Sequence, residues 1–207
     1  DMGSALAVVA LGTGFLVVDV CGGSDHTCVV SSLGAVKCFG SNEYGQLGLE
    51  MNTTENIGDE PGELGNNLRA VDFGENFTVI AISCGHYHTC ALSSSRQIKC
   101  FGHNAYGQLG LGDSIDRGSD VDSMGVFLPA VRLGRDFVPK EVKCGYYHTC
   151  SSSQDGRMKC WGQNSWGELG YEDTENRGDD AGEMGDNLPA IDVLDYTLAP
   201  TPDPTEP

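Results

Sequence analysis

A motif of cysteine, glycine and histidine occurs three times in this chain, and this repetition constrains the fold more than any other feature. Each copy contains a Cys-Gly pair, then His-Thr-Cys, then Lys-Cys-aromatic-Gly, and finally Asn-x-x-Gly-x-Leu-Gly. The three copies cover residues 21–48, 84–110 and 144–170. Repeats of this kind fold as similar supersecondary units that pack against their neighbours. The sequence therefore predicts a repeat protein.

Acidic connecting segments separate the copies and define the expected organisation of the chain. A similar segment precedes the first copy, so we expect the chain to begin inside a repeat. The apolar run from Ala5 to Val20 has the composition of a signal-peptide core or a short membrane span, but its counterparts contain charges such as Arg69 and Arg132. A buried strand is the better interpretation, because a hydrocarbon environment rejects such charges. The expected units are 1–20 (end of a preceding repeat), 21–83, 84–143 and 144–194 (three repeats), and 195–207 (a Pro/Thr-rich linker or tail).

Each cysteine core is predicted to form a β-hairpin. Apolar residues or cysteines alternate with polar or small ones on both sides of a short turn, as around Leu33. Gly34 and Gly156 occupy the turn position where a three-residue hairpin loop needs a positive φ. The second copy has Arg96 at this position, so the middle hairpin is expected to be strained or to adopt another turn type.

The predicted hairpins place two cysteines opposite each other in every copy. Directly opposed residues of antiparallel strands have Cβ atoms close enough for a disulfide, and each such bridge contributes about 2 to 3 kcal/mol. The expected bridges are Cys28–Cys38, Cys90–Cys100 and Cys150–Cys160.

The other cysteines, Cys21, Cys84 and Cys144, are interpreted as standing at one equivalent position of the repeat. They could bridge adjacent repeats, pair with cysteines outside this chain, or remain buried thiols, and at least one lacks a partner because their number is odd. A zinc site is the rival interpretation, but Cys-x4-His-x-Cys is not the spacing of the usual zinc modules. We therefore predict no metal ligands here, and a structural hydrogen bond for the repeated histidine.

Three features favour an extracellular or cell-surface location. Nine cysteines, in register in every repeat, are typical of an oxidising compartment. Asn52 and Asn76 each begin an Asn-x-Thr sequon for N-glycosylation. The Pro/Thr-rich end of the chain is typical of extended or O-glycosylated linkers. We expect export, with glycans on both asparagines.

Three motifs carry a family resemblance: the Gly-x-x-His-Thr turns, Lys-Cys-Trp-Gly at 159–162, and Asn-x-x-Gly-Gln-Leu-Gly at 42–48 and 104–110. They resemble the repeat of the regulator of chromosome condensation family over nearly all of residues 1–194. The resemblance implies an all-β fold, a β-propeller whose blades are four-stranded antiparallel sheets, usually seven to a ring. About three blades fit this length, and three cannot close a ring. We expect a fragment of a longer propeller, or an open arc completed by another chain.

The charge of the chain argues against the founding activity of that family, nucleotide exchange on the small GTPase Ran at chromatin. With 12 basic and 30 acidic residues the net charge is -18, so the chain is expected to repel nucleic acid. Related propellers include an extracellular inhibitor of β-lactamase, and a shared fold does not imply a shared function. No functional residue is therefore carried over from the family.

The acidic connecting loops are the candidate cation sites. Carboxylate oxygens are ligands that Ca²⁺ prefers, and extracellular calcium is abundant enough to occupy weak sites. The sequence has neither the spacing of an EF-hand nor a calcium-binding nonapeptide repeat, so a solvated acidic surface is the alternative. The candidate Ca²⁺ loop contains Asp173, Asp179, Asp180, Glu183 and Asp186.

No catalytic constellation is found in the sequence, and no enzyme is expected. The notable residues are present in three copies, which indicates architecture more than chemistry. Tyr44, Tyr106 and Trp166 occupy equivalent positions and are expected to pack within blades, with a sugar-binding platform as the alternative.

The expected function is that of a secreted or cell-surface propeller, a structural or protein-interaction subunit of an extracellular matrix, sheath or appendage. Its partners would be other protein chains, such as copies of itself or an extracellular scaffold, with glycans as a further class. Neither nucleic acid nor direct membrane insertion is expected, and Ca²⁺ is the one candidate cofactor. The alternative is a soluble extracellular recognition module that binds a protein or a glycan, with or without Ca²⁺.

Overall fold

The computed structural model describes residues 7–51 and 54–192, which form three antiparallel sheets. Sheet 1 contains β1 (Val17–Gly22), β2 (His26–Ser31) and β3 (Val36–Gly40); sheet 2 contains β4 (Val79–Cys84), β5 (His88–Ser93) and β6 (Ile98–Gly102); sheet 3 contains β7 (Pro139–Cys144), β8 (His148–Ser153), β9 (Arg157–Gly162) and β10 (Ile191–Asp192). The predicted all-β fold is confirmed. Among these residues there is no helix of the length and apolarity that a membrane span requires.

A further segment lies along the outer strand of each sheet and completes a blade. In sheet 1, the Val71 backbone N–H donates to the Val36 carbonyl at 2.8 Å, and in sheet 2 Val131 donates to Ile98 at 2.8 Å. In sheet 3 the same place is taken by β10, which pairs with β9. The order from first strand to outer segment is therefore the same in all three sheets, as in a four-stranded propeller blade.

The hydrophobic core lies between neighbouring sheets. Val36 of sheet 1 shares a buried cluster with Phe101 of sheet 2, and Ile98 of sheet 2 shares another with Trp161 of sheet 3. Phe101 and Trp161 are completely buried. We call the contact of sheets 1 and 2 the first joint, and that of sheets 2 and 3 the second joint. Each sheet thus depends on its neighbour for much of its apolar burial.

The apolar run near the start of the chain is not the buried strand that the sequence predicts. Residues 7–16 form no strand, and in β1 the side chains of Val18 and Val20 are 61% and 60% exposed. Ile82, which takes the place of Val20 in sheet 2, is only 5% exposed because sheet 1 packs against it. Burial at this position therefore comes from the preceding sheet.

The middle hairpin keeps the geometry of the other two. Arg96 adopts a φ of 64°, in the same left-handed region as Gly34 at 79° and Gly156 at 90°. The pairing of β5 with β6 also has the register of β2 with β3. A left-handed φ costs a residue with a side chain about 1 to 2 kcal/mol. The expected strain is present at Arg96, but the expected deviation of the hairpin is wrong, because the cross-strand pairs on both sides fix the turn.

Each hairpin contains the disulfide that its register predicts. The Cα atoms of the bonded cysteines are 4.1 Å apart in all three pairs, within reach of a cross-strand bridge. The bonded pairs are Cys28–Cys38, Cys90–Cys100 and Cys150–Cys160.

The strand register shows that Cys21 is not equivalent to Cys84 and Cys144, so that part of the prediction is wrong. Cys21 lies opposite Cys28, whereas Cys84 and Cys144 lie opposite the threonines one residue earlier in their partner strands. The first copy has one more residue between this cysteine and the histidine than the others have. Successive side chains of a strand point to opposite faces, so Cys21 points the other way.

This one-residue offset allows a disulfide across the first joint. Cys21 and Cys84 are bonded, with Cα atoms 5.5 Å apart. At the second joint Ser83 takes the place of Cys21 and Cys144 that of Cys84. There the Ser83 hydroxyl accepts from the Cys144 backbone N–H at 2.9 Å, and the Cys144 thiol donates to the Ser83 carbonyl at 3.3 Å. Cys144 is the free cysteine, and burial raises its thiol pKa to about 12.

A buried hydrogen-bond chain crosses each joint. At the first joint, His26 Nε2 lies 2.9 Å from the Thr89 hydroxyl, which donates to the Gln46 carbonyl at 3.1 Å. At the second joint, His88 Nε2 lies 3.0 Å from the Thr149 hydroxyl. The histidine and the glutamine belong to one blade and the threonine to the next. We call this arrangement the His-Thr-Gln chain.

The chain fixes the protonation of each histidine. A hydroxyl has one proton, and the Thr149 proton goes to the Gln108 carbonyl at 2.8 Å, so this hydroxyl must accept from the His88 Nε2–H. Burial lowers the pKa of His88 to about 3 and that of His26 to about 4, so both are neutral at pH 7. The predicted structural hydrogen bond of the repeated histidine is confirmed at both joints.

Replacing the threonine at a joint with valine is expected to destabilise the protein. Thr89→Val and Thr149→Val leave a buried histidine N–H without an acceptor, which costs roughly 1 to 3 kcal/mol in the free energy of unfolding. Chemical denaturation measures this cost. The matched control is Thr27→Val, because Thr27 is the equivalent residue of sheet 1. In the described part of the chain no blade precedes sheet 1, so Thr27 accepts no hydrogen bond from a histidine of such a blade. Equal losses in all three variants would contradict the role of the joints.

Ser83→Cys is expected to create a second disulfide between blades, because Ser83 faces Cys144 as Cys21 faces Cys84. Alkylation under denaturing conditions without reduction, followed by mass measurement, should modify one thiol in the wild-type protein and none in this variant. The closed loop predicts a gain of about 4 kcal/mol in stability. Lys143→Cys is the control: it occupies the same strand position in sheet 3, so two thiols should react under denaturing conditions. Two reactive thiols in Ser83→Cys would contradict the facing geometry.

Candidate interaction surface

The turns between the first two strands of each sheet lie side by side. The Ser24 backbone N–H donates to the His86 carbonyl at 3.2 Å, and the His86 N–H donates to the Tyr146 carbonyl at 3.0 Å. These turns follow from the Gly-x-x-His pattern of the repeat, in which the glycine packs under the histidine ring. The two residues between glycine and histidine therefore form a row that crosses both joints.

Aromatic side chains cover this row. The His86 ring stacks on Tyr146 with centroids 3.8 Å apart, and it also lies 3.7 Å from Tyr87. Tyr87 contacts Tyr44 at 5.0 Å, and the His86 imidazole lies within hydrogen-bond distance, 3.0 Å, of the Tyr147 hydroxyl. The connected rings, which we call the aromatic cluster, are Tyr44, His86, Tyr87, His103, Tyr106, Tyr146 and Tyr147.

The cluster is accessible from solvent. Tyr146 is 59% exposed, and the other six rings are half-buried against one another. Trp166 stands outside the cluster and is 89% exposed. The prediction that Tyr44, Tyr106 and Trp166 pack within blades is therefore wrong.

The loop geometry explains why these three aromatic residues point outwards. The Gln46 amide oxygen accepts from the Tyr44 backbone N–H at 2.8 Å, and Glu168 accepts from Trp166 in the same way at 2.7 Å. Gln46 is fully buried, so in this loop the glutamine side chain points inwards and the Tyr44 side chain points outwards. The glutamine therefore occupies the buried position of the loop, and the aromatic side chain lies at the surface.

Three carboxylates act electrostatically on rings of the aromatic cluster. The pKa of the Tyr44 phenol is raised, first by the Glu43 charge, then by burial and by Asp116. Burial and then the Asp25 charge raise the pKa of Tyr87. The pKa of His86 is lowered by burial, against an opposing effect of Asp25. At neutral pH the surface therefore combines uncharged rings with negative charge.

Five residues of the cluster were not predicted from the sequence as part of a site: His86, Tyr87, His103, Tyr146 and Tyr147. A signal for four of them was present, because the second and third copies have two aromatic residues between the glycine and the histidine of the turn. The first copy has Ser24 and Asp25 there. The repeat thus keeps its framework residues and varies these two.

Two groups of histidine and cysteine could hold a metal by distance alone. In the described residues they are His26, Cys28 and Cys84, and His88, Cys90 and Cys144, each with ligand atoms within 4.8 Å of one another. The thiolate is the form of cysteine that binds metal, and disulfides occupy every sulfur of these groups except that of Cys144. With the bridges in place, neither group fits a zinc site.

The candidate calcium carboxylates do not converge on one point. Asp173 pairs with Arg177 at 2.7 Å, and Asp186 pairs with Arg135 at 3.3 Å. Glu183 accepts backbone N–H groups of the loop, from Gly178 at 2.7 Å and from Asp180 at 3.1 Å. These carboxylates stabilise the loops, and in the described part of the chain no group of three or more lies close enough for a cation.

One of the two sequons lies in the described structure. Asn76 is exposed and has a φ of 62°, which asparagine tolerates better than most residues. Its side chain is therefore accessible to a glycosyltransferase. Asn52 and the 195–207 segment lie outside the described residues.

Comparison with known proteins places the repeat in a family. Descriptions of the "Regulator of chromosome condensation (RCC1) repeat" match residues 17–46, 79–108 and 140–167, and also 34–92. The chain is 31% identical over 154 residues to the ultraviolet-B receptor UVR8 of Arabidopsis thaliana, covering 73% of this chain and 30% of that protein. It is 30% identical over 154 residues to the X-linked retinitis pigmentosa GTPase regulator of Mus musculus, covering 74% of this chain and 14% of that protein.

Solved structures support the same fold. Human WBSCR16 superposes with a TM-score of 0.61 at 20% identity, covering 81% of this chain and 40% of that one. Yeast RCC1 (Prp20) bound to Kap60 gives 0.58 at 18% identity, covering 81% and 36%. The chain thus spans between about a seventh and two fifths of these relatives. The chain belongs to the RCC1 repeat family, and its three sheets are blades of a partial β-propeller.

Proposed function

We propose that the chain is part of an exported propeller that acts by contact with other macromolecules, as a structural or protein-interaction subunit of an extracellular matrix, sheath or appendage. The aromatic cluster carries this proposal. It crosses both joints, and tyrosine-rich surfaces with accessible rings are typical of protein interfaces. Rings held by neighbouring rings lose little conformational freedom on binding.

The disulfides support the exported location. Eight of nine cysteines are bonded, and one bridge joins two blades covalently. Such bridges persist in oxidising compartments and are rare in the cytosol. The covalent first joint also suits a subunit under mechanical load, because the two blades cannot separate while Cys21 and Cys84 are bonded.

Contact with nucleic acid and exchange activity on a GTPase are not part of this proposal. The net charge of -18 opposes binding to a phosphate backbone. The repeated histidines are the residues best suited to acid–base chemistry, but at the two joints they are buried, neutral and hydrogen-bonded to threonine. The framework residues therefore serve architecture.

A soluble recognition module that binds a protein or a glycan is the second candidate, and the same aromatic cluster favours it, because aromatic faces also stack on sugar rings. The two candidates differ in assembly. A structural subunit should be recovered from its source in large, detergent-resistant or covalently linked material. A recognition module should elute as a discrete monomer in size-exclusion chromatography.

Intact-mass measurement of the protein, alkylated with and without prior reduction, tests the exported location. Under denaturing conditions one thiol per chain should react without reduction, and nine should react after reduction. In a secretory expression host, the Asn76→Gln variant should lack the glycan on Asn76 and keep that on Asn52, so its intact mass should be lower by one glycan. Asn67→Gln is the matched control, because Asn67 is exposed but is not part of a sequon. Nine reactive thiols without reduction, together with no glycan, would place the protein in the cytosol and contradict the proposal.

A further inference from the structure

We propose that the aromatic cluster binds a segment of a partner protein that carries lysine or arginine side chains. This inference rests on the proposed function, because it names the chemistry of the partner at the same surface. It follows from three properties of the cluster: accessible π faces, carboxylates beside them, and the absence of an internal cation on its rings in the described structure.

The first property is the way the rings are presented. His86 stacks on Tyr146 with an interplanar angle of 20°, and Tyr146 is 59% exposed. The face of an aromatic ring is negative, and a lysine ammonium or an arginine guanidinium within about 6 Å of its centre is attracted by roughly 0.5 to 2 kcal/mol. The Tyr146 ring is therefore open to a cationic side chain from another molecule, with the other rings of the cluster beside it.

The second property is the position of the carboxylates. Asp25 belongs to the turn of sheet 1 and acts on His86 and Tyr87 in the turn of sheet 2. Glu43 and Asp116 act on Tyr44, and Glu43 also acts on Tyr87. A cation seated on the rings would thus lie near several negative charges. A neutral sugar would gain stacking from the rings and hydrogen bonds to these carboxylates, but it would lack the charge attraction that a cation gains.

The third property is that the cluster has no cation of its own. In the described part of the chain, each lysine or arginine that lies over a ring uses a ring outside the cluster, namely Phe15, Phe77, Phe137 or Tyr171. Lys99, for example, lies 5.4 Å from the Phe77 centroid and donates to backbone carbonyls. The rings of the cluster are therefore available to a cation from another molecule. The net charge of -18 would steer such a partner towards the chain.

The test is the binding of fluorescent ten-residue peptides, measured by anisotropy at low salt. Three probes of equal length are used: one with alternating arginine and glycine, one with glutamate in place of arginine, and one with serine. A neutral chitooligosaccharide is the fourth probe. The arginine peptide should bind, with an affinity that falls as salt is added. The glutamate and serine peptides should not bind.

Variants of the surface distinguish a site from general attraction to an acidic protein. Tyr146→Ala and His86→Ala should each weaken the binding of the arginine peptide by about two- to thirty-fold, and Asp25→Asn should weaken it several-fold. Trp166→Ala and Asp180→Asn are the matched controls, since each removes an exposed ring or an exposed carboxylate outside the cluster. They should change the affinity less than twofold. Thermal melting of each variant verifies that it is folded.

Two results would overturn the inference. If Tyr146→Ala binds as well as wild type, or if Asp180→Asn weakens binding as much as Asp25→Asn, the peptide is held by net charge alone. If the oligosaccharide binds the cluster and the arginine peptide does not, the cationic partner is wrong while an interaction surface remains. Failure of the proposed function is separate, because it would be seen as cytosolic thiols and absent glycan whatever the peptides do.

Discussion

The structure depends on a single hydroxyl group at each joint between blades. Thr89 and Thr149 each accept from a histidine of the preceding blade and donate to a carbonyl of that same blade. A threonine in this position satisfies two buried polar groups that would otherwise lose their hydrogen bonds to water, so a displaced blade leaves both unpaired. The hydrophobic clusters supply most of the attraction between sheets, but they are not directional. The hydrogen-bond chain is directional, and together with the backbone hydrogen bonds between turns it fixes the orientation of the blades and the alignment of the turns that carry the aromatic cluster.

The framework could be predicted from the sequence because it repeats. Alternation on both sides of a short turn was enough to locate the hairpins, and opposed cysteines such as Cys28 and Cys38 followed from antiparallel register. The one-residue offset of Cys21 relative to Cys84 and Cys144 was not predicted, because an alignment of the copies by their cysteines hides it. Counting back from the histidine instead gives five residues to Cys21 but four to Cys84. A shift of one residue along a strand places the side chain on the opposite face of the sheet. Because of this shift, the first joint has a disulfide where the second joint has a hydrogen bond.

Contacts between segments that are distant in the sequence could not be predicted from the local pattern of any one strand. The lysine of each Lys-Cys-aromatic-Gly segment donates to carbonyls of two separate loops; Lys159, for instance, reaches Leu133 at 2.8 Å and Gly185 at 2.9 Å. Nothing local in the sequence indicates those acceptors. The outward direction of the Tyr44 and Trp166 side chains was also not predictable from local sequence. In an irregular loop this direction depends on which neighbouring side chain accepts from the backbone N–H groups. Gln46 and Glu168 are those acceptors. The aromatic side chains, which their residue type would assign to the core, are left at the surface.

The repeat therefore separates stability from recognition within a few residues. In each turn the glycine and the histidine are held by packing and by the joint, whereas the two residues between them make no contribution to the His-Thr-Gln chain. These two can change without loss of the fold, and in this chain they are Ser-Asp, His-Tyr and Tyr-Tyr in succession. Because backbone hydrogen bonds place the three turns side by side, an aspartate from one blade lies beside the rings of the next. A surface that attracts and stacks on a cation thus arises from the alignment of blades, and no single repeat contains it.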